Sequence, residues 1–308
     1  MLRIGFIGAG AVNFGGGEGP WDHASRLEQI EGLEVVGIAD PNTAAAKARL
    51  AERSHPMYAG ADVFGDYREL LETAKPDAVW IGVPPSVHGT LAAGRDIEVR
   101  CAAAGVHMFV EKPLSSHPAA TVAQVAEAVS GSGVVCSVGY MFRYSRAVQA
   151  IKAILIEHEL QPAAFLGRYD CAYSEIRKAQ WWDRRQSGGP IVEQATHFVD
   201  LARYLLGEAR LDTVQAIALR SSEQPLFRDA PADDDGVPLP AAVPEEFRAL
   251  AATAATWKHE SGAVASLTHG VLLHREKYES ELEVWADGLR VVLMDPYGDS
   301  RLAVRRPE

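Results

Sequence analysis

The stretch RIGFIGAGAVN, residues 3–13, decides the fold of the first half of the chain. Its apolar positions are typical of a buried first strand, and glycines stand where that strand ends. Glycines at such a place let the backbone approach a pyrophosphate, and the start of the following helix favours its negative charge. We therefore predict a cofactor-binding turn formed by Gly8, Gly10, Ala11, Val12 and Asn13.

The glycine turn is a weak signal by itself, because the third glycine of a dinucleotide fingerprint is replaced by Asn13. An ordinary glycine turn would have the same sequence. A glycine-rich segment, residues 14–21, also delays the first helix. This segment is either a loop close to the cofactor or a neutral surface insertion, and we predict the former.

Short apolar runs alternate with helical stretches through about the first 140 residues, which is typical of a parallel sheet covered by helices. Asp40 closes the second of these runs. An acid there accepts hydrogen bonds from the adenosine ribose and repels a 2′-phosphate, which favours NAD over NADP. An Asp at a strand end is also a common helix cap. The predicted strands span residues 3–7, 34–39, 77–81, 106–110 and 133–139, and the predicted helices span 22–30, 43–53, 66–71, 87–104 and 115–130.

Two prolines and a histidine, Pro84, Pro85 and His88, follow the third predicted strand. Ligands of open parallel sheets bind beyond the carboxyl ends of the strands, so the prolines could form a wall against the nicotinamide ribose. We predict that all three residues contact the cofactor. For His88, structural contacts at the start of a helix explain the sequence equally well.

The tripeptide Glu111-Lys112-Pro113 follows the next strand and so lies on the same edge of the sheet. A lysine there can hydrogen-bond the cofactor ribose, or stabilise negative charge on a substrate oxygen as hydride moves. Pro113 would fix the backbone, through a cis bond if one is present. A solvent-facing lysine is the usual alternative. The position of Lys112 on this edge favours a functional role.

Beyond residue 140 the pattern changes to long strands joined by tight turns, which predicts an α+β domain with an open antiparallel sheet. The chain thus divides into a dinucleotide-binding domain, residues 1–139, and a substrate-binding and oligomerisation domain, residues 140–308. Residues 221–246 are rich in Pro, Asp and Ala and are predicted to form a surface loop. The predicted strands span residues 163–174, 213–220, 251–259, 263–273, 279–286 and 290–294, and the predicted helices span 145–159 and 190–206.

Composition narrows the classes of partner. The 308 residues carry a net charge of −11, which argues against nucleic acid or an anionic membrane as the main partner. No apolar run approaches the roughly 20 residues that cross a bilayer, and no targeting segment is recognised, so we expect a cytoplasmic protein. The three cysteines are widely spaced, and we expect neither a metal site nor a redox pair.

These segments together resemble the glucose-fructose oxidoreductase / inositol dehydrogenase family, Gfo/Idh/MocA, over nearly the whole chain. Four features carry the likeness. Three are the glycine turn, the proline-rich strand end with its histidine, and Glu-Lys-Pro. The fourth is SGGPIVEQATH, residues 187–197, in which an acid, Glu193, stands four residues before His197. Glu-Lys-Pro alone would be weak, but the pairing of both motifs at this separation is specific.

The resemblance implies a Rossmann domain followed by a domain with an open antiparallel sheet. It also implies hydride transfer between NAD(P) and a hydroxyl or carbonyl group of a sugar, polyol or related small alcohol. Carried over from the family, Lys112 orients and polarises the reacting oxygen, His197 exchanges its proton, and Glu193 positions or charges the pair. Many members have Asp in place of Glu193, and residues 89–104 are longer here than in most members.

Residues spaced four apart lie on one face of an α-helix, so Glu193 and His197 are expected together. A surface ion pair would give the same spacing, but the glycines before it favour catalysis. Arg143 matches a basic and aromatic family segment near the substrate. The remaining substrate candidates are aromatic residues that could stack on a sugar ring or simply pack: Tyr173, Trp181 and Trp182.

Two other functions remain open at this stage. One is a non-catalytic sensor that binds a dinucleotide, although a pure binder need not keep Lys112 and His197. The other is an enzyme that retains NAD through redox-assisted cleavage of a glycoside. An uncovered apolar sheet face is costly in water, so we expect a homodimer or a homotetramer.

Overall fold

The computed structural model describes residues 1–15, 22–274 and 278–306. The chain forms two compact units, Met1–Gly139 and Tyr140–Glu308. The glycine-rich segment predicted to lie near the cofactor falls largely on residues 16–21, outside the described residues. In the described part of the chain, no helix is long and apolar enough to cross a membrane.

The first unit contains a six-stranded sheet in the order β3-β2-β1-β4-β5-β6. All of its neighbouring strands pair in parallel, which confirms the predicted Rossmann sheet. Its strands are β1 Leu2–Ile7, β2 Leu33–Ala39, β3 Asp62–Phe64, β4 Ala78–Ile81, β5 His107–Val110 and β6 Cys136–Val138. Its helices are α1 Ala11–Phe14, α2 His23–Leu27, α3 Thr43–Ala51, α4 Tyr67–Glu69, α5 Ile97–Ala103 and α6 Ala119–Ser130, with a 3-10 turn at Pro56–Tyr58 and a π-helical turn at Leu70–Ala74.

Two sequence predictions in this unit need correction. The helix expected over residues 87–104 is confined to Ile97–Ala103, because residues 82–96 form turns and bends after β4. The short strand β3 was not predicted, since three residues are too few for a periodic signal. Asn42 caps α3 as expected, accepting a hydrogen bond from the amide of Ala45.

The second unit contains a seven-stranded sheet in the order β13-β12-β11-β7-β10-β9-β8. It is mixed rather than antiparallel, because its central pair, β7 and β10, runs in parallel. Strand direction depends on which strands become neighbours, and a local pattern does not show this. Its strands are β7 Pro162–Ala172, β8 Ala209–Leu219, β9 Ala252–His259, β10 Val264–Leu273, β11 Tyr278–Ala286, β12 Leu289–Met294 and β13 Arg301–Arg305.

One face of this sheet packs on helices around a core that includes Phe165, Phe198 and Leu282. Alternate residues of β7 are buried on that face, as expected for a half-covered sheet. The loop predicted at residues 221–246 contains short 3-10 turns and an isolated antiparallel bridge between Ala232 and Pro238. The helices are α7 Arg146–Glu157, α8 Ala179–Trp182, α9 Arg184–Ser187 and α10 Thr196–Leu206, with a π-helical turn at Ile191–Ala195 and 3-10 turns at Met141–Tyr144, Tyr173–Glu175, Leu239–Ala242 and Glu245–Phe247.

Candidate active site

Three of the predicted motifs lie at the carboxyl edge of the parallel sheet. Backbone hydrogen bonds continue past the strand ends: Gly82 donates to Ile7, Glu111 to Ile81 and Gly139 to Val110. The glycine turn after β1, the proline segment after β4 and Glu-Lys-Pro after β5 therefore start side by side. This is the edge at which open parallel sheets bind ligands, close to the point between β1 and β4 where the strand order reverses.

The glycine turn has the shape that a dinucleotide requires. Gly8 has a φ of +96°, and a Cβ there would lie 2.6 Å from the carbonyl oxygen of Gly82. Gly10 faces open space, with nothing within 4 Å of an added Cβ. Gly10 and Ala11 are exposed at the start of α1. These residues fit a pyrophosphate, which needs close backbone approach and room above the turn.

Asn13, which stands in place of the third glycine, is fully buried. Its Nδ2 donates to the carbonyl oxygen of Gly8 at 2.7 Å and to that of Ile7 at 3.3 Å. The side chain therefore supports the glycine turn from inside the fold, and its predicted role in cofactor binding stays a prediction. Its size also explains a glycine that the sequence did not single out, since a Cβ on Gly82 would lie 2.6 Å from Asn13 Oδ1.

Asp40 ties the turn to the next helix. Its Oδ2 accepts from the amide of Ala9 at 2.8 Å, and its Oδ1 accepts from the amide of Asn42 at 2.8 Å. The carboxylate thus lies beside the glycine turn, as an acid that binds the adenosine ribose must. Both its structural and its predicted cofactor role are compatible with this geometry.

Asp40→Ala should narrow the preference for NAD over NADP by about tenfold, because the repulsion of a 2′-phosphate is removed. Affinity for NAD itself should also fall, since the Ala9 amide loses its acceptor. Titration of both dinucleotides by calorimetry measures this. Asp66→Ala is the control, because it removes another helix-capping acid of the same unit. An unchanged ratio of the two affinities would leave Asp40 a structural residue only.

His88 is nearly fully buried and pairs with a carboxylate that the sequence did not single out. Its Nδ1 lies 2.5 Å from Glu98 Oε1, and Glu98 Oε2 accepts from the amide of Gly89 at 3.0 Å. With 1% of its surface exposed, His88 holds the segment after β4, and its predicted contact with the cofactor stays a prediction. Of the two prolines before it, Pro84 is exposed and Pro85 is buried.

Lys112 and its neighbours lie at the end of β5. The Lys112–Pro113 peptide bond is cis, and Pro113 is buried. Glu111 accepts from the amide of Lys112 at 3.0 Å, and its other oxygen lies 2.7 Å from His23 Nε2. The sequence indicated neither of these contacts, since His23 lies 88 residues away in the chain.

Glu193 and His197 lie in the second unit, where a π-helical turn meets an α-helix. Ile191–Ala195 is π-helical and Thr196–Leu206 is α-helical, so the predicted helix at residues 190–206 is present but contains a π-turn that the sequence did not indicate. π-turns are frequent at functional sites because they alter the direction of side chains. The two glycines before the turn have φ near +75° and +82°, and a Cβ on Gly188 would lie 2.7 Å from Val192.

The His197 imidazole is 3% exposed and surrounded by aromatic rings. Phe142 lies edge-on with ring centroids 5.2 Å apart, and Tyr140 and Tyr297 lie edge-on at 6.3 and 6.5 Å. Such packing fixes the ring plane. Glu193 is 9% exposed. A proton-transfer group needs only one accessible atom, so this burial is compatible with catalysis.

Gln194, next to Glu193, is hydrogen-bonded to side chains of the sheet strands β7 and β10. Its Oε1 lies 3.0 Å from His269 Nε2 and 3.3 Å from Cys171 Sγ, both in buried surroundings. Burial lowers the pKa of His269 to about 4. His269 is therefore neutral near pH 7 and donates its Nε2–H to the amide oxygen of Gln194.

Acid should destabilise the protein through His269. Its pKa is lower in the folded state than its usual value of about 6.5, so folding favours the neutral ring. The stability that this contributes is present above pH ~6.5 and is lost as the pH falls toward 4, by about 3 kcal/mol in total. His269→Gln should lose less stability between pH 7 and pH 5 in urea unfolding. Equal losses in both proteins would contradict this assignment. His259→Gln, which alters another buried histidine, is the control.

Three of the four predicted substrate residues have other roles. Trp182 is fully buried and donates its Nε1–H to the carbonyl oxygen of Ile176 at 3.0 Å, so it packs in the core. Tyr173 is 4% exposed, and its hydroxyl lies 2.8 Å from His274 Nε2. A stacking platform needs an open ring face, which neither residue has. Arg143 forms two hydrogen bonds to the buried Asp200, with Nε to Oδ2 at 2.7 Å.

Trp181 remains an aromatic candidate. It is partly exposed, and the Nζ of Lys178 lies 5.3 Å from its ring centroid.

The bidentate pair of Arg143 with Asp200 raises the pKa of the guanidinium and joins the 3-10 turn at Met141–Tyr144 to α10. No sequence pattern marks Asp200, which has the place of an ordinary helix residue.

The parallel sheet and its glycine turn are typical of a dinucleotide-binding protein, and comparison with known proteins gives the class and the family. Residues 2–140 match the model described as "Oxidoreductase family, NAD-binding Rossmann fold", and residues 143–289 match that of an oxidoreductase C-terminal domain. An uncharacterised protein of Schizosaccharomyces pombe is 34% identical over the whole chain and 78% of its own length. The chain belongs to the Gfo/Idh/MocA family of oxidoreductases, as its motifs predicted.

Characterised relatives add detail. The scyllo-inositol 2-dehydrogenase (NAD(+)) of Bacillus subtilis is 31% identical over 67% of the chain and 54% of its own length. The WlbA dehydrogenase of Bordetella pertussis, solved with NADH and UDP-GlcNAcA, has a TM-score of 0.74 at 20% identity and covers 100% of this chain and 78% of its own. The protein is accordingly an NAD-binding oxidoreductase of this family.

Proposed function

We propose that the protein oxidises a secondary hydroxyl group of a sugar, cyclitol or related polyol, or reduces the matching carbonyl, with NAD as the hydride partner. The observation that carries this proposal is the position of Lys112. It lies at the carboxyl end of β5, on the sheet edge that also bears the glycine turn. NAD, when bound, supplies the hydride acceptor.

The side chains of this chain perform the other tasks. Gly8, Gly10 and Ala11 would hold the pyrophosphate, and Asp40 the adenosine ribose. Lys112 polarises the reacting oxygen and stabilises its negative charge as hydride leaves the carbon. His197 takes the proton of the hydroxyl, since an imidazole can accept and release a proton near neutral pH.

Glu193 supports the imidazole in this scheme. A carboxylate close to a histidine stabilises the imidazolium that forms on proton uptake. The backbone of Glu193 belongs to the π-helical turn, and His197 belongs to the α-helix that follows it. The extra methylene of Glu, relative to the Asp of many relatives, suits a carboxylate that starts from this displaced backbone.

A panel of sugars, polyols and aromatic diols tests the proposal, with NADH formation followed by absorbance. NADH formation with one or more members supports it. A protein that binds NAD but oxidises nothing in the panel would favour the sensor function. A protein that keeps NAD through gel filtration, forms no net NADH and cleaves a glycoside would instead favour redox-assisted glycoside cleavage.

We also propose a homodimer or homotetramer, formed through the sheet face that points away from the core. Strand alternation places Ile217, Val264 and Trp285 on that face, and they are 78%, 48% and 45% exposed. Large apolar side chains on one broad surface are typical of subunit contacts. Charged pairs such as Arg290 with Glu283 on the same face would give such a contact its orientation.

A further inference from the structure

Glu111 holds two partners at once. Its Oε1 lies 2.7 Å from His23 Nε2, and its Oε2 accepts from the backbone amide of Lys112 at 3.0 Å. The side chains of His23 and Glu111 are only 14% and 16% exposed. A carboxylate accepts hydrogen bonds, so His23 donates its Nε2–H. The Glu111 carboxylate thereby connects His23 to the backbone of Lys112.

The surroundings of Glu111 leave its carboxylate little freedom. A Cβ on Gly139, at the end of the neighbouring strand, would lie 3.1 Å from Glu111 Oε2. The His23 ring lies edge-on to Phe109 with centroids 4.8 Å apart, and Phe109 stacks on Trp80 at 6.1 Å. A charge-assisted hydrogen bond in such partly buried surroundings is stronger and more directional than one in water.

His23 is itself fixed at the start of α2. Asp22, the helix cap, accepts from the amide of Ser25 at 2.8 Å and from Arg53 Nη2 at 3.1 Å. The same Arg53 nitrogen also donates to the carbonyl oxygen of Phe14 at the end of α1. His23 is therefore a rigid point in the first unit from which Glu111 can be oriented.

We propose that His23 is a positioning residue for Lys112, acting through the Glu111 carboxylate. The lysine has a long flexible stem, so the place of its ammonium group depends on how firmly its backbone is held. A displacement of about 1 Å at a reacting group can cost on the order of a hundredfold in rate. This inference rests on the proposed role of Lys112 beside the nicotinamide.

Chemical protection of Lys112 by NAD tests the inference without a known substrate. The wild-type protein, His23→Ala and His23→Gln are treated with an acetylating reagent at saturating NAD and without NAD, and acetylation of Lys112 is followed by mass spectrometry. Lys47, exposed on α3, serves as the internal reference. A Gln amide can donate to Glu111 as the imidazole does.

We expect NAD to slow acetylation of Lys112 by about tenfold in the wild-type protein and by about twofold in His23→Ala. In His23→Gln, most of the protection of Lys112 should be restored. The control is His107→Ala. His107 lies at the opposite end of β5 and accepts from the amide of Val135, so its removal should leave the protection intact.

Each other outcome is decisive. Full protection in His23→Ala would overturn the positioning role, and so would equal losses in His23→Ala and His23→Gln. An equal loss of Lys112 protection in His107→Ala would show that the sheet is generally loosened, and this result would also overturn the positioning role. Absence of NAD protection in the wild-type protein would instead contradict the proposed place of Lys112 beside the cofactor.

Discussion

Lys112→Ala should lower turnover of the best substrate of the panel by about a thousandfold. The ammonium group stabilises negative charge on the reacting oxygen only while hydride moves, so its loss acts on kcat more than on binding. Affinity for NAD should change by no more than a few-fold, because the glycine turn and Asp40 remain. Steady-state kinetics and calorimetric titration of NAD measure the two effects.

Two further variants sharpen this result. Lys112→Arg keeps the positive charge but replaces a compact ammonium with a planar group, so it should restore little activity. Lys47→Ala removes an exposed lysine of the same unit and should leave turnover unchanged. Normal turnover in Lys112→Ala would remove the basis of the proposed chemistry, whatever the identity of the substrate.

His197→Ala should lower turnover by at least about a hundredfold while NAD binding survives. The imidazole is the proposed acceptor of the hydroxyl proton, and a methyl group cannot replace it. Steady-state rates with the best substrate of the panel and calorimetric titration of NAD test both expectations.

The control for His197 is another buried histidine of the same unit. His259 is 1% exposed, and its Nε2 accepts from Trp257 Nε1 at 3.0 Å. His259→Ala should lower the free energy of unfolding by a few kcal/mol with little change in kcat, since a buried partner is left unpaired. Similar losses of turnover in both variants would mean that His197 supports the fold and not the reaction.

The candidate catalytic residues were predicted from type and spacing, but their supports were not. His23 lies 88 residues from Glu111, Asp200 lies 57 residues from Arg143, and Glu98 lies 10 residues from His88. Contacts of this kind form because the fold brings these chain segments together. A single sequence carries no signal for them, since Asp, Glu and His are common on helix surfaces.

The burial of two of the three aromatic candidates could not be predicted for a related reason. Tyr173 and Trp182 have the composition of sugar-stacking residues, yet both are buried, and Trp182 packs edge-on against Phe227 with centroids 5.1 Å apart. Whether a large ring faces a ligand or the core depends on which loops cover it. That is a property of tertiary packing and not of local pattern.

The sequence by itself determined the parallel sheet of the first unit, because buried parallel strands are short apolar runs and their ends are marked by glycine, proline or charge. It also determined which residue types lie at the carboxyl edge of the sheet, where ligands bind, since every strand of a parallel sheet ends on the same side. Tertiary structure alone decided that Asn13 lies beneath the glycine turn, that β7 and β10 run in parallel and that Glu193 stands on a π-helical turn. The pairing of β7 with β10 depends on segments far apart in the chain, and periodicity within one segment cannot report such a contact. The Asn13 hydrogen bonds and the π-helical turn are local, but hydrophobic periodicity marks neither of them.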